Sequence, residues 1–120
     1  MLQKVGQIAI NAKDVERATA FYRDVLEMRF LFAAPPKMAF FDVGGTWLLI
    51  GEASAPEFDH PSSILYFDVA DVAATWQVLK DRGVRFREDP HVLHRQEGKE
   101  LWMASFWDTE GNTLAVRCWK

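Results

Sequence analysis

Apolar and polar residues alternate with period two over 5–10 (VGQIAI) and again over 64–69 (ILYFDV), and this alternation predicts two strands, each half-buried. Behind each strand the period changes to that of a helix. Ala18, Phe21, Tyr22, Val25 and Leu26 form one apolar stripe, and Val72, Thr75, Trp76 and Leu79 form another. Asp14 and Asp71 stand just before these runs, where a carboxylate can accept the first free helical N–H groups, so helices are expected over about 15–26 and 72–82. Gly83 supplies a left-handed stop to the second. A hairpin pattern closes each half, turning at Gly44-Gly45 in the first and over Asp108-Thr109-Glu110-Gly111-Asn112 in the second.

The two halves are copies of one pattern. KDVERATAFYRDVLEMRF from Lys13 matches ADVAATWQVLKDRGVRF from Ala70, with Asp14 on Asp71 and Val15 on Val72 at an offset of 71 − 14 = 57. FFDVGGTWLLI from Phe40 matches FWDTEGNTLAV from Phe106, with Asp42 on Asp108 and Leu48 on Leu114 at an offset of 114 − 48 = 66. Each copy reads as a βαβββ module, the first about 1–53 and the second about 62–120, joined by a proline-bearing linker at 54–61. A module of about 50 residues buries one sheet face under its own helix and leaves the other needing cover. The expected fold class is therefore α+β, with two tandem modules whose curved mixed sheets enclose a shared cavity.

Composition narrows the setting. Forty-nine per cent of the 120 residues are hydrophobic, which is enough for a core. The single cysteine, Cys118, excludes an internal disulfide and suits a reducing, cytoplasmic compartment. The net charge of −3 is scattered with no basic stripe, so nucleic acid is not an expected partner. No apolar run approaches the ~20 residues of a membrane span, and none reads as a leader. Five tryptophans and nine phenylalanines are a heavy aromatic load for this length, and an apolar sheet face beside it points to a homodimer.

KDVERATAFYRDVLEM followed by DTEGNTLAV, in this order and duplicated, resembles the vicinal-oxygen-chelate superfamily, which contains glyoxalase I, bleomycin-resistance proteins and extradiol dioxygenases. The resemblance implies paired βαβββ modules and one divalent metal held by the first and last strand of each half. Those positions fall here on Gln7, Leu49, Ile64 and Ala115, and the repeat offsets agree: 64 − 7 = 57 and 115 − 49 = 66. Three of the four side chains are aliphatic, so no metal cofactor is expected there.

Alternation counted from these positions turns Val5, Gln7 and Ala9 toward the cavity, with Ile64, Tyr66 and Asp68 in the second half. In the last hairpin it turns Met103, Ser105, Trp107, Thr113, Ala115 and Arg117 the same way. Trp47 and Leu49 join them from the first half. The expected ligand contacts are thus Gln7, Trp47, Leu49, Ile64, Tyr66, Ser105, Trp107, Ala115 and Arg117, with Arg117 suited to an anion. His91 and His94 form H-x-x-H in an extended context, where residues three apart point to opposite faces, so a chelate is not expected; His60 reads as a loop residue. Three functions follow. One is a sequestering protein that binds a small organic molecule without metal. Another is a lyase, isomerase or dioxygenase-like enzyme on a small carbonyl or aromatic substrate, with Gln7, Tyr66 and His91 as candidate catalytic residues. The third is a dimerisation module with a filled cavity.

Overall fold

The computed structural model describes every residue except Pro36 and divides into two compact units, Met1–Ser62 and Ser63–Lys120. Each is a mixed sheet carrying a helix, an α+β arrangement.

In the first unit the strands are β1 (Gln7–Asn11), β2 (Arg29–Ala34), β3 (Met38–Val43) and β4 (Thr46–Gly51), ordered β1-β4-β3-β2. β1 runs parallel to β4, and the other pairs are antiparallel. Gly44 and Gly45 both take positive φ, +61° and +92°, which lets a two-residue turn join β3 to β4. Helix α1 (Val15–Ala20) starts at Asp14, whose side chain accepts the Arg17 N–H. The expected single helix to Leu26 is not regular throughout. Over Phe21–Val25 it widens into a π turn, with the Leu26 N–H donating to the Phe21 carbonyl, and it closes at Glu27 with φ +57°. The widened turn sets Tyr22 wholly inside, edge-on to Phe21 and packed on Phe41. Ala18, Ile10, Leu48 and Ile50 complete this core. The segment after β4 is anchored rather than loose. Pro56–Phe58 forms a 3-10 turn, and the Asn11 amide donates to the carbonyls of Phe58 and His60.

In the second unit β5 (Leu65–Asp68), β6 (Arg85–Phe86), β7 (His91–Gln96), β8 (Lys99–Trp107) and β9 (Thr113–Trp119) form a sheet ordered β5-β9-β8-β6, with β7 also paired to β8. Helix α2 (Val72–Asp81) is capped by Asp71, which accepts the Ala74 N–H, and ends before Gly83 at φ +91°. Val72 and Leu79 are buried with Phe106, Leu114 and Val116.

The strand registers carry the internal repeat. Ile8↔Leu48 and Ala9↔Leu49 in the first unit become Leu65↔Leu114 and Tyr66↔Ala115 in the second, the same 57 and 66 offsets. One sequence match does not survive. Phe41, not Phe40, is the counterpart of Phe106, since Phe41↔Leu48 corresponds to Phe106↔Leu114. The second hairpin has one residue more between equivalent pairs. Asp42 therefore lies in a strand, whereas Asp108 lies in the turn and accepts the N–H groups of Glu110 and Asn112.

Candidate functional site

Pairing across the first sheet defines its open face, the one turned away from α1. One row reads Arg29, Asp42, Trp47, Gln7, and the next reads Phe32, Phe40, Leu49, Ala9. Phe32 stacks on Phe40 with ring centroids 4.6 Å apart and 22° between planes. Trp47 stands edge-on to both, 5.7 Å from each. Phe32 and Trp47 keep 41% and 40% of their surface exposed. Gln7 and Asp42 flank Trp47 in its row, and neither side chain makes a hydrogen bond or ion pair among the described residues.

Phe40 was accessible to sequence reasoning, because a two-residue turn at Gly44-Gly45 fixes Phe40 opposite Leu49. Phe32 was not. β2 carries a bulge: Phe30 pairs with Phe41 and Phe32 with Phe40, leaving Leu31 extra. The bulge resets the alternation and turns Phe32 to the open face.

In the second unit the open face carries Tyr66, Ala115 and Ser105 in one row, with Asp68, Arg117 and Met103 in the next. Tyr66 is 49% exposed, and its hydroxyl has no partner among the described residues. Ile64, just ahead of β5, is exposed too. Ser105 and Ala115 are buried. Arg117 does not present an uncommitted guanidinium, since its Nε donates to Asp68 at 2.7 Å. Trp107 is half-buried under the Arg85 guanidinium, 5.0 Å from the ring centroid.

Sequence reasoning missed Glu88. Its Oε1 accepts both the N–H of Ser105 at 2.7 Å and the Ser105 hydroxyl at 2.6 Å. The placement follows from the sheet. β8 pairs with β6 at Phe106 and Trp107 and with β7 from Met103 down, so the Ser105 N–H falls between the two partners. Partial burial pushes the Glu88 carboxyl up, but the two Ser105 donors, with His91 and Arg87 nearby, more than offset this and hold it below the usual range.

The four positions that the family resemblance marks for a metal do not suit one. Leu49, Ile64 and Ala115 have no side-chain lone pair, and Gln7 offers one neutral amide oxygen. A groove of about 970 Å³ lies elsewhere in the first unit, between the start of α1 and the β2–β3 hairpin. None of the expected site residues lines it. Its floor includes Ala33, Ala34 and Ala39, and two of its cations are already paired, Arg23 with Asp24 and Lys37 with Glu52.

Two mixed sheets, βαβββ in the first unit and βαββββ in the second, where β6 and β7 share the edge of β8, define the class seen in binding proteins and enzymes of the vicinal-oxygen-chelate kind. Residues 4–116 match the model of the Glyoxalase/Bleomycin resistance protein/Dioxygenase superfamily, and the chain belongs to that family. Among characterised relatives it is 27% identical over 97 residues to the metallothiol transferase FosB of Staphylococcus saprophyticus. That match covers 73% of this chain, and the chain spans 61% of the relative's length. Among solved structures it resembles a superfamily member from Sphaerobacter thermophilus, with a TM-score of 0.79, 21% identity, and 97% of each chain covered. It also resembles TnmS3, an antibiotic binding protein from Streptomyces sp. CB03234, with a TM-score of 0.77 and 21% identity, covering 96% of this chain and 94% of that one. Among the described residues no helix is long and apolar enough to cross a membrane.

Proposed function

We propose that this chain is a small-molecule-binding protein that holds a flat organic ligand against the open face of its first sheet, with no metal at the family's first- and last-strand positions. The observation that carries this reading is the Phe32–Phe40–Trp47 cluster, whose outer two rings remain about two-fifths exposed. Large apolar surface left open beside polar side chains that no other described residue engages is the composition of a binding surface. The rings offer stacking area, while Gln7 and Asp42 beside Trp47 offer hydrogen bonds that fix orientation. Leu49 extends the apolar floor. In the second unit Ile64, Tyr66, Trp107 and Arg117 stay candidate ligand contacts, whereas Ser105 and Ala115 are buried and present no surface to a ligand. The antibiotic-binding neighbour supports sequestration as the role, and Leu49, Ile64 and Ala115 support its being metal-free. We read the protein as cytoplasmic and as a homodimer, consistent with its one cysteine and its open aromatic face.

A catalytic reading with Gln7, Tyr66 and His91 has one observation in its favour, the exposed Tyr66 hydroxyl without a partner. The two readings separate by titration with acridine, a planar heteroaromatic, followed by tryptophan fluorescence. Under the binding reading Trp47→Ala removes the saturable response and Tyr66→Phe does not. Loss on Tyr66→Phe with Trp47→Ala unaffected would move the site to the second unit's face.

A further inference from the structure

The bulge in β7 alters what H-x-x-H means in this chain. In a regular strand His91 and His94 would point to opposite faces. Here His91 pairs with Met103, Val92 with Trp102 and His94 with Leu101, so Leu93 is the extra residue. Met103 and Leu101 are two apart on β8 and share a face, and so do their partners. The two histidines thus stand two rungs apart on one side of β7, about 6–7 Å along the strand. Both are exposed.

Their hydrogen bonds prepare both rings as ligands. His91 Nδ1 lies 3.0 Å from the Asp89 carbonyl oxygen, and His94 Nε2 lies 3.1 Å from Gln96 Oε1. Each oxygen only accepts, so each of those nitrogens carries the proton. The other nitrogen, Nε2 of His91 and Nδ1 of His94, keeps its lone pair. Metal-binding histidines are held in the same manner, one nitrogen donating to an oxygen and the other facing the ion. Among the described residues no third histidine, cysteine or carboxylate joins to make a cluster of three, so water would complete the coordination.

We propose that His91 and His94 form a two-imidazole chelate for a first-row divalent ion, Cu2+ most tightly, with Ni2+ and Zn2+ weaker. The site uses none of the family's first- and last-strand residues and none of the aromatic residues of the first sheet, and it does not depend on the proposed ligand.

The test uses the full chain, stripped of metal, titrated with copper(II) chloride by calorimetry and followed by electron paramagnetic resonance. One equivalent should bind with hyperfine splitting from two imidazole nitrogens. His91→Ala and His94→Ala, both surface changes, should each weaken binding about tenfold or more. Gln7→Ala should leave it unchanged. Deleting Leu93 keeps both histidines and removes the bulge, and it should weaken copper as much as losing one histidine, with circular dichroism confirming the fold. If the deletion unfolds the chain, the two alanine variants decide alone. Copper held as tightly by either alanine variant as by the unaltered chain, or bound through one nitrogen, would overturn the proposal.

Discussion

The Glu88 carboxylate accepts two hydrogen bonds from a single residue, the N–H and the hydroxyl of Ser105, and so satisfies an N–H that falls between two partner strands, while the Ser105 carbonyl accepts from the Arg87 N–H. Ser105 is only 3% exposed, so a lost partner would leave a buried N–H unsatisfied. We expect Glu88→Ala to cost about 2 kcal/mol in chemical denaturation, and Ser105→Ala less, because the backbone donor survives.

The same pair gives a pH dependence. The Glu88 carboxyl titrates lower in the folded chain than in the unfolded one. Its contribution is therefore present above the unfolded value, about 4.3, and is lost as pH falls through the lower folded value. The melting-temperature gap between the unaltered chain and Glu88→Gln should be constant near neutrality and close below about pH 4. A gap unchanged into stronger acid would show that Glu88 acts through packing rather than charge.

The turn at Asp108 makes a second stability prediction. Asp108 Oδ1 accepts the N–H groups of Glu110 and Asn112, and Oδ2 accepts from the Asn112 amide. Gly111 sits at φ +82°. Asp108→Ala should cost about 1–3 kcal/mol and Gly111→Ala about 1 kcal/mol, read as shifts in denaturation midpoint with an unchanged slope. The superficially matched Asp42→Ala should cost little, since that residue has no such turn to hold.

The contrast between Asp42 and Asp108 shows where sequence reasoning stopped. The repeat, both Asp caps, the glycine turns and the alternation of β1, β5, β8 and β9 were legible because each is a local signal with its own period or backbone demand. The registers of the two modules then follow at the offsets that the sequence carries. What was hidden is what a single inserted residue does. Leu31 turns Phe32 to the open face, Leu93 brings His91 and His94 together, and one extra residue separates Asp42 from Asp108. No composition cue marks these insertions, because a bulge is set by which hydrogen bonds two strands choose. Arg117 illustrates the other limit. Its face could be counted, but its pairing with Asp68 could not, although the two residues are register partners.

Phe32 offers a separation of binding from stability. Because 41% of its surface stays exposed, Phe32→Ala should cost less stability than truncating a fully buried phenylalanine, which costs about 3–5 kcal/mol. It should nevertheless weaken a planar ligand by about tenfold, since stacking on Phe40 holds the platform in place. Equal losses of stability and binding would mean that the ring is core rather than surface.

The central claim is that the open aromatic face binds a flat ligand without metal at the family's positions. Calorimetric titration of acridine into EDTA-stripped protein, set beside the same protein resupplied with manganese(II) or zinc(II), tests it most directly. We expect one affinity in all three conditions, lost in Trp47→Ala and kept in His91→Ala. Binding that appears only when a metal is restored, and that Gln7→Ala abolishes, would contradict the claim and place a metal where the side chains at Leu49, Ile64 and Ala115 offer it no lone pair.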